Sequence, residues 1–215
     1  MHENLDAGRL VASMFDLMRD NAVAVAATIA GLSALGVASD MYDPEALTSV
    51  PISIASMVAQ FVVVRSALER LGLVQRSGRA VGAYVGVSIL ATLGILLGLV
   101  LLVLPGVVLA IRWSIVAPIL LAEEHGVAES LSESWARTKG HFAAILVASL
   151  VPFVPLAGGI VAYAMTDPET VQIPLAASVV ANICINAFLA LNWLLSVAIY
   201  SAVMDAREPL EEIFA

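Results

Sequence analysis

Apolar residues run along this chain in long blocks separated by short polar intervals. A bilayer core about 30 Å thick needs about 20 apolar residues in a helix, and about 17 suffice. Blocks at 22–38, 50–66, 81–103, 106–122, 141–164 and 174–204 have that character. Between residues 81 and 122 the only charged side chain is Arg112, and Leu104-Pro105-Gly106 interrupts the run. Proline cannot continue a helix and glycine tolerates a turn. Pro105 and Gly106 are therefore expected to fold two spans into a tight hairpin, with a positive φ at Gly106. Block 141–164 is interrupted by Pro152, Pro155 and Gly158-Gly159, and block 174–204 exceeds what a bilayer requires, so it should tilt or protrude. The expected fold class is all-α: a polytopic membrane protein, one integral membrane domain over 1–215, built as a bundle of six transmembrane helices.

Two amphipathic stretches precede spans one and five. Leu10, Val11, Met14, Phe15 and Met18 recur at helical spacing over about 7–20, opposite Arg9, Ser13, Asp16 and Asp20, the pattern of a helix lying in the membrane interface. Before span five, Leu131 and Trp135 sit one turn apart, Glu133 can pair with Arg137 at i,i+4, and Gly140 is placed to end the helix. The alternative for both is an ordinary helix packed on the bundle. Leu10-x-x-Ser13-Met14 and Leu131-x-x-Ser134-Trp135 open these helices alike, a thin internal repeat.

Composition agrees with lipid as the solvent. The 215 residues are 60% apolar and 13% charged, against roughly 45–50% and about 25% in soluble domains. Basic residues collect in cytoplasmic loops. Threaded six times, the chain puts Arg9, Arg19, Arg65, Arg70, Arg76, Arg79, Arg137, Lys139 and Arg207 on the amino-terminal side, and Asp40, Asp43, Glu45, Asp167 and Glu169 on the other. Both termini are expected in the cytoplasm. Residues 1–20 lack the basic start of a secretory signal, so the first span is expected to be an uncleaved anchor despite the small residues Gly36-Val37-Ala38. A net charge of −8 with no basic tract excludes nucleic acid as a first partner. The single Cys184 permits no intrachain disulfide and no cysteine metal cluster.

Candidate chemistry is sparse. Arg112 is a charge inside a span, and such residues mark functional sites by default. It can bond carbonyls opened by Pro105 or Pro118, snorkel to the interface, or hold an anionic headgroup or substrate. On the last span Ser178, Asn182, Asn186, Asn192, Ser196 and Tyr200 fall within a sector of about 120° at 3.6 residues per turn. That face serves either interhelical hydrogen bonding or the lining of a cavity, which makes Asn182, Asn186 and Asn192 candidate ligand contacts beside Arg112. Ser53, Ser56 and Gln60 form a shorter polar stripe on span two, and Ala27, Gly31, Ala34 and Ala38 a small-residue stripe on span one, where close helix approach is expected. No histidine pair, nucleophile elbow or phosphate-binding glycine loop is present. Glu123 and Glu124 read as a solvated helix end, and His2, His125 and His141 as non-catalytic. No catalytic residue, metal or cofactor is expected.

Leu104-Pro105-Gly106, Arg112, Pro118, the acid pair before Gly126, Ala128, Leu131, Ser134-Trp135 and Lys139-Gly140 follow in an order that resembles the membrane domain of some bacterial glycerophosphodiester phosphodiesterases and the YciC-like inner-membrane proteins. The match runs from Leu104 to Leu146. The resemblance implies a six-helix protein of the bacterial inner membrane linked to lipid chemistry. The chain carries no polar interval long enough for a phosphodiesterase domain, which points to an accessory. The function expected is that of a non-enzymatic accessory or scaffold for envelope or lipid-related processes. Its partners would be membrane lipids and a membrane protein or a second copy of this chain. The alternative is a small transporter or flippase-like protein with a mid-membrane cavity lined by the last helix.

Overall fold

The computed structural model describes residues 5–42, 49–74, 80–101, 103–123, 125–164 and 173–205. They are helical almost throughout, with no strand among the described residues. The helices are α1 (Ala7–Asp20), α2 (Ala22–Tyr42), α3 (Ser49–Arg70), α4 (Ala80–Leu101), α5 (Val103–Arg112), α6 (Val116–Glu123), α7 (Val127–Arg137), α8 (Phe142–Ser149), α9 (Phe153–Ala164) and α10 (Leu175–Asp205). Five runs are long and apolar enough to cross a membrane: α2, most of α3, α5 with α6, α8 with α9, and α10. In α4 the apolar stretch is shorter, Gly82–Gly98. The chain is a multi-pass helical membrane protein. Asp43, Glu45, Arg76, Arg79, Glu124, Asp167, Glu169, Arg207 and His2, which entered the sequence reading, lie outside the described residues.

Helix α1 starts at Asp6, whose carboxylate accepts the Arg9 backbone N–H at 3.2 Å, the usual way an aspartate caps orphan donors. Its stripe of Leu10, Met14 and Leu17 is buried against α10 and α8, so protein covers the innermost part of the apolar face. The chain turns into α2 at buried Asn21, which donates from Nδ2 to the Leu17 carbonyl at 2.9 Å and accepts from Ser66 Oγ at 2.8 Å. That side chain locks the break between α1 and α2 onto α3.

Helices α4 and α5 pack against each other as a hairpin, but Pro105 and Gly106 do not make the turn. Both residues belong to the first turn of α5, and α4 ends before them at Leu101. Proline is tolerated there because the first N–H groups of a helix lack intrahelical partners in any case. Among the described glycines only Gly72 and Gly140 have positive φ, so the expected left-handed Gly106 is corrected. Gly106 serves close packing instead: a Cβ on Gly98 would lie 2.8 Å from its Cα.

The fifth span breaks where its prolines sit. α8 ends at Ser149 and α9 opens at Phe153, immediately after Pro152. Helix α10 is the central element, packed on α9, α2, α1, α3, α6 and α8. At 1.5 Å per residue its 31 residues extend about 46 Å, longer than the about 30 Å hydrocarbon core. The small-residue stripe Ala27, Gly31, Ala34 and Ala38 is exposed throughout, so no helix among the described residues covers it. Close approach falls to Gly36, where a Cβ would lie 1.9 Å from Asn182 Oδ1, and to Gly159, where it would lie 3.1 Å from Cys184 Cβ.

Candidate functional site

The span containing Arg112 is broken at its middle. Val116 N donates to the Trp113 carbonyl at 3.3 Å rather than to that of Arg112, and Pro118 has no N–H to offer the Ser114 carbonyl. The released Arg112 carbonyl accepts instead from Ser134 Oγ of α7 at 2.8 Å, with Thr138 Oγ1 at 3.3 Å. Ser134 and Thr138 are fully buried. An opened carbonyl is thus satisfied beside Arg112, but by hydroxyls of the next helix and not by the guanidinium. The side chain makes no hydrogen bond among the described residues: Nε and Nη1 are buried without a partner. Its carbon Cζ lies 5.5 Å from the Trp135 ring centroid.

Next to this break is a partly open cavity of about 660 Å³ lined by α3, α4, α5, α6, α8, α9 and α10, within the about 300–1,000 Å³ typical of ligand sites. Its walls are mainly apolar, with Trp113, Phe153, Phe188 and Trp193 among them. Phe153 and Phe188 stack at a tilt with centroids 5.0 Å apart. Seven neutral polar side chains interrupt the apolar lining: Gln60, Ser88, Thr92, Ser114, Ser149, Asn192 and Ser196. Three of these direct their donors back to their own helices. Ser149 Oγ donates to the Ile145 carbonyl at 2.8 Å, Ser196 Oγ to Trp193 at 2.7 Å, and Asn192 Nδ2 to Phe188 at 2.9 Å. The two serine hydroxyls are left as acceptors, while Asn192 keeps its amide oxygen and a second N–H. Ser114 Oγ is buried without a partner. Among the described residues no charged side chain lines the space. Such a wall suits an apolar molecule bearing hydroxyl or ester groups better than an ion.

The asparagine face does not act as one surface. Of its three asparagines only Asn192 reaches the cavity, together with Ser196. Asn182 donates from Nδ2 to Asp40 Oδ2 at 2.9 Å, an oxygen that also accepts from Ser178 Oγ at 2.6 Å and Tyr163 Oη at 2.9 Å. Asn186 donates to Ser33 Oγ at 3.3 Å and to the Asn182 carbonyl at 2.8 Å. These contacts tie α2, α9 and α10 together, so Asn182 and Asn186 are interhelical links and are corrected as cavity contacts. Tyr200 is drawn elsewhere: its hydroxyl donates to Glu123 Oε1 at 2.8 Å.

Glu123 is not a solvated helix end. Arg137 engages it through both terminal nitrogens, with Nη2 2.6 Å from Oε2, and donates from Nε to Glu133 at 2.8 Å, as the i,i+4 spacing predicts. The Arg137 side chain is only 6% exposed. Its hydrogen bond to Glu123, which outweighs the desolvation opposing it, raises the pKa above the ordinary arginine range, so the ion pair persists. The contacts of Asp40, which the sequence showed only as an acid outside the spans, and of Ser33 and Tyr163 escaped the sequence reading because their partners are more than a hundred residues away along the chain. Ser114 escaped it because a lone serine in an apolar run carries no periodic signal.

Among the described residues no cluster of histidine, cysteine and carboxylates is arranged to hold a metal. No protein-family model, curated protein or solved structure matches this chain.

Proposed function

We propose that this is a non-enzymatic six-span protein of the bacterial inner membrane, an accessory that holds a lipid or lipid-like molecule within the bilayer. In this reading α4 is the additional span, α1 and α7 are interfacial helices, and both termini are cytoplasmic, in keeping with the one-sided distribution of arginines. The observation that carries it is the cavity of about 660 Å³ with apolar walls and neutral polar side chains. The likeness of residues 104–146 to the membrane domain of glycerophosphodiester phosphodiesterases supports the same lipid setting.

The cavity is tested by filling it. Ala91 and Ala117 line it, and Ala91→Phe with Ala117→Phe should lower the amount of lipid that co-purifies, measured by native mass spectrometry at unchanged fold. Undiminished lipid would overturn this reading.

A second reading, a small transporter or flippase-like protein, is favoured by one observation: the span at the cavity wall is broken between Ser149 and Phe153, and discontinuous helices line substrate paths in transporters. Water access separates the two. In a Cys184→Ser background, Ser149→Cys and Ser196→Cys should resist membrane-impermeant thiol reagents in a lipid holder and react in a transporter.

A further inference from the structure

Arg112 stands near the middle of the Val103–Glu123 span, with Nε and Nη1 buried and unpartnered. None of the ion pairs among the described residues includes it, in contrast to Arg19, Arg65 and Arg137, each of which has a carboxylate. Its own backbone carbonyl is already satisfied by Ser134. The Trp135 ring, 5.5 Å from Cζ, offers the negative face of its π system, which attracts a cation weakly and supplies no hydrogen-bond acceptor in the guanidinium plane. A guanidinium in this setting lacks both counter-charge and in-plane acceptors, and a buried charge is normally given both. The described residues do not provide them.

We infer that Arg112, covered by Trp135, is a binding site for a phosphoryl oxyanion. The guanidinium presents two edges, Nε with Nη2 and Nη1 with Nη2, and either can donate two parallel bonds to one phosphate. Nη2, common to both edges, is the nitrogen outside the buried unpartnered set. Trp135, which covers the guanidinium, is itself 43% exposed. The adjacent residue, Trp113, lines the cavity. The phosphate can be a lipid headgroup or free in solution. For the lipid source the inference rests on the lipid-holding reading above and names the headgroup chemistry that goes with it.

The experiment uses the full chain, delipidated in detergent and offered phosphatidylglycerol, diacylglycerol with the same tails, or inorganic phosphate. Native mass spectrometry reads the ratio of bound phosphatidylglycerol to diacylglycerol, and thermal unfolding reads the response to phosphate. The wild type should prefer phosphatidylglycerol about tenfold, the factor that one good charge-assisted contact of about 1.4 kcal/mol supplies. Arg112→Gln should abolish that preference, and Arg112→Lys, which keeps the charge but loses the fork, should reduce it several-fold and serves where the glutamine variant does not fold. Stabilisation by inorganic phosphate that depends on Arg112, without a lipid preference, supports the site with a soluble anion as its source. A ratio near one with no phosphate response, or a preference unchanged in Arg112→Lys, overturns the assignment. Ala91→Phe with Ala117→Phe should lower both lipids together and leave their ratio intact, so failure of the cavity and failure of the anion site give different results.

Discussion

At the residue scale, the join between α2 and α10 depends on one missing side chain. Gly36 leaves the room that the Asn182 amide occupies, and Asn182 in turn reaches Asp40. Overpacking a tight site costs about 1–3 kcal/mol, so Gly36→Leu should lower the unfolding temperature and release the Asn182 contact. Asp40 receives three donors on a single oxygen. Asp40→Ala removes their shared acceptor, at about 1–3 kcal/mol for each donor left buried and unpaired. Asp40→Asn retains a carbonyl oxygen and should cost less. Equal unfolding temperatures for the two variants would show that the cluster does not hold the helices. The sequence displayed Asn182 and Asn186 as polar positions on a helix, which is as far as periodicity reaches. Which partner each meets depends on how α2 is rotated against α10.

At the element scale, the consequential feature is the break between α5 and α6 and the helix α7 that repairs it. Pro118 and the apolar run were legible in the sequence, but the hydroxyls that take up the freed carbonyl come from Ser134 and Thr138, beyond the end of α6. The same helix carries Arg137 to Glu123. Removing one partner of a buried pair costs about 3–5 kcal/mol, so Glu123→Ala should destabilise the protein strongly. Glu133 is 36% exposed beside the 6% exposed Arg137, so its charge stays partly in solvent, and with Glu123 still paired to Arg137 the Glu133→Ala variant should lower the unfolding temperature less than Glu123→Ala. The reverse order would refute the assignment of Glu123 as the main anchor of α7. In the hairpin, Gly98→Val would press a side chain onto the Gly106 backbone and should separate α4 from α5, read as faster proteolysis near residue 102.

At the scale of the whole molecule, α10 holds the bundle together. Helices from both ends of the chain pack on it, and much of its buried surface is apolar. The one-sided arginine distribution predicts how this bundle is threaded. A reporter active only outside the cytoplasm should be active when fused after Asp43 and silent when fused after Gln75. The opposite pattern would invert the molecule.

The sequence by itself determined that the chain is helical and made for a membrane, because apolar block length and the backbone's need for internal hydrogen bonds in lipid leave few other solutions. It also determined the break at Pro152 and the Glu133 to Arg137 pair, which depend on neighbours within a few residues. The tertiary structure alone decided what Asp40, Glu123, Tyr200 and Asn182 contact, where the cavity opens, and that Arg112 meets no acceptor among the described residues. Those outcomes depend on the rotation and depth of each helix against its neighbours, set by close contacts such as Gly36 on Asn182 and Gly98 on Gly106, which one-dimensional periodicity does not encode.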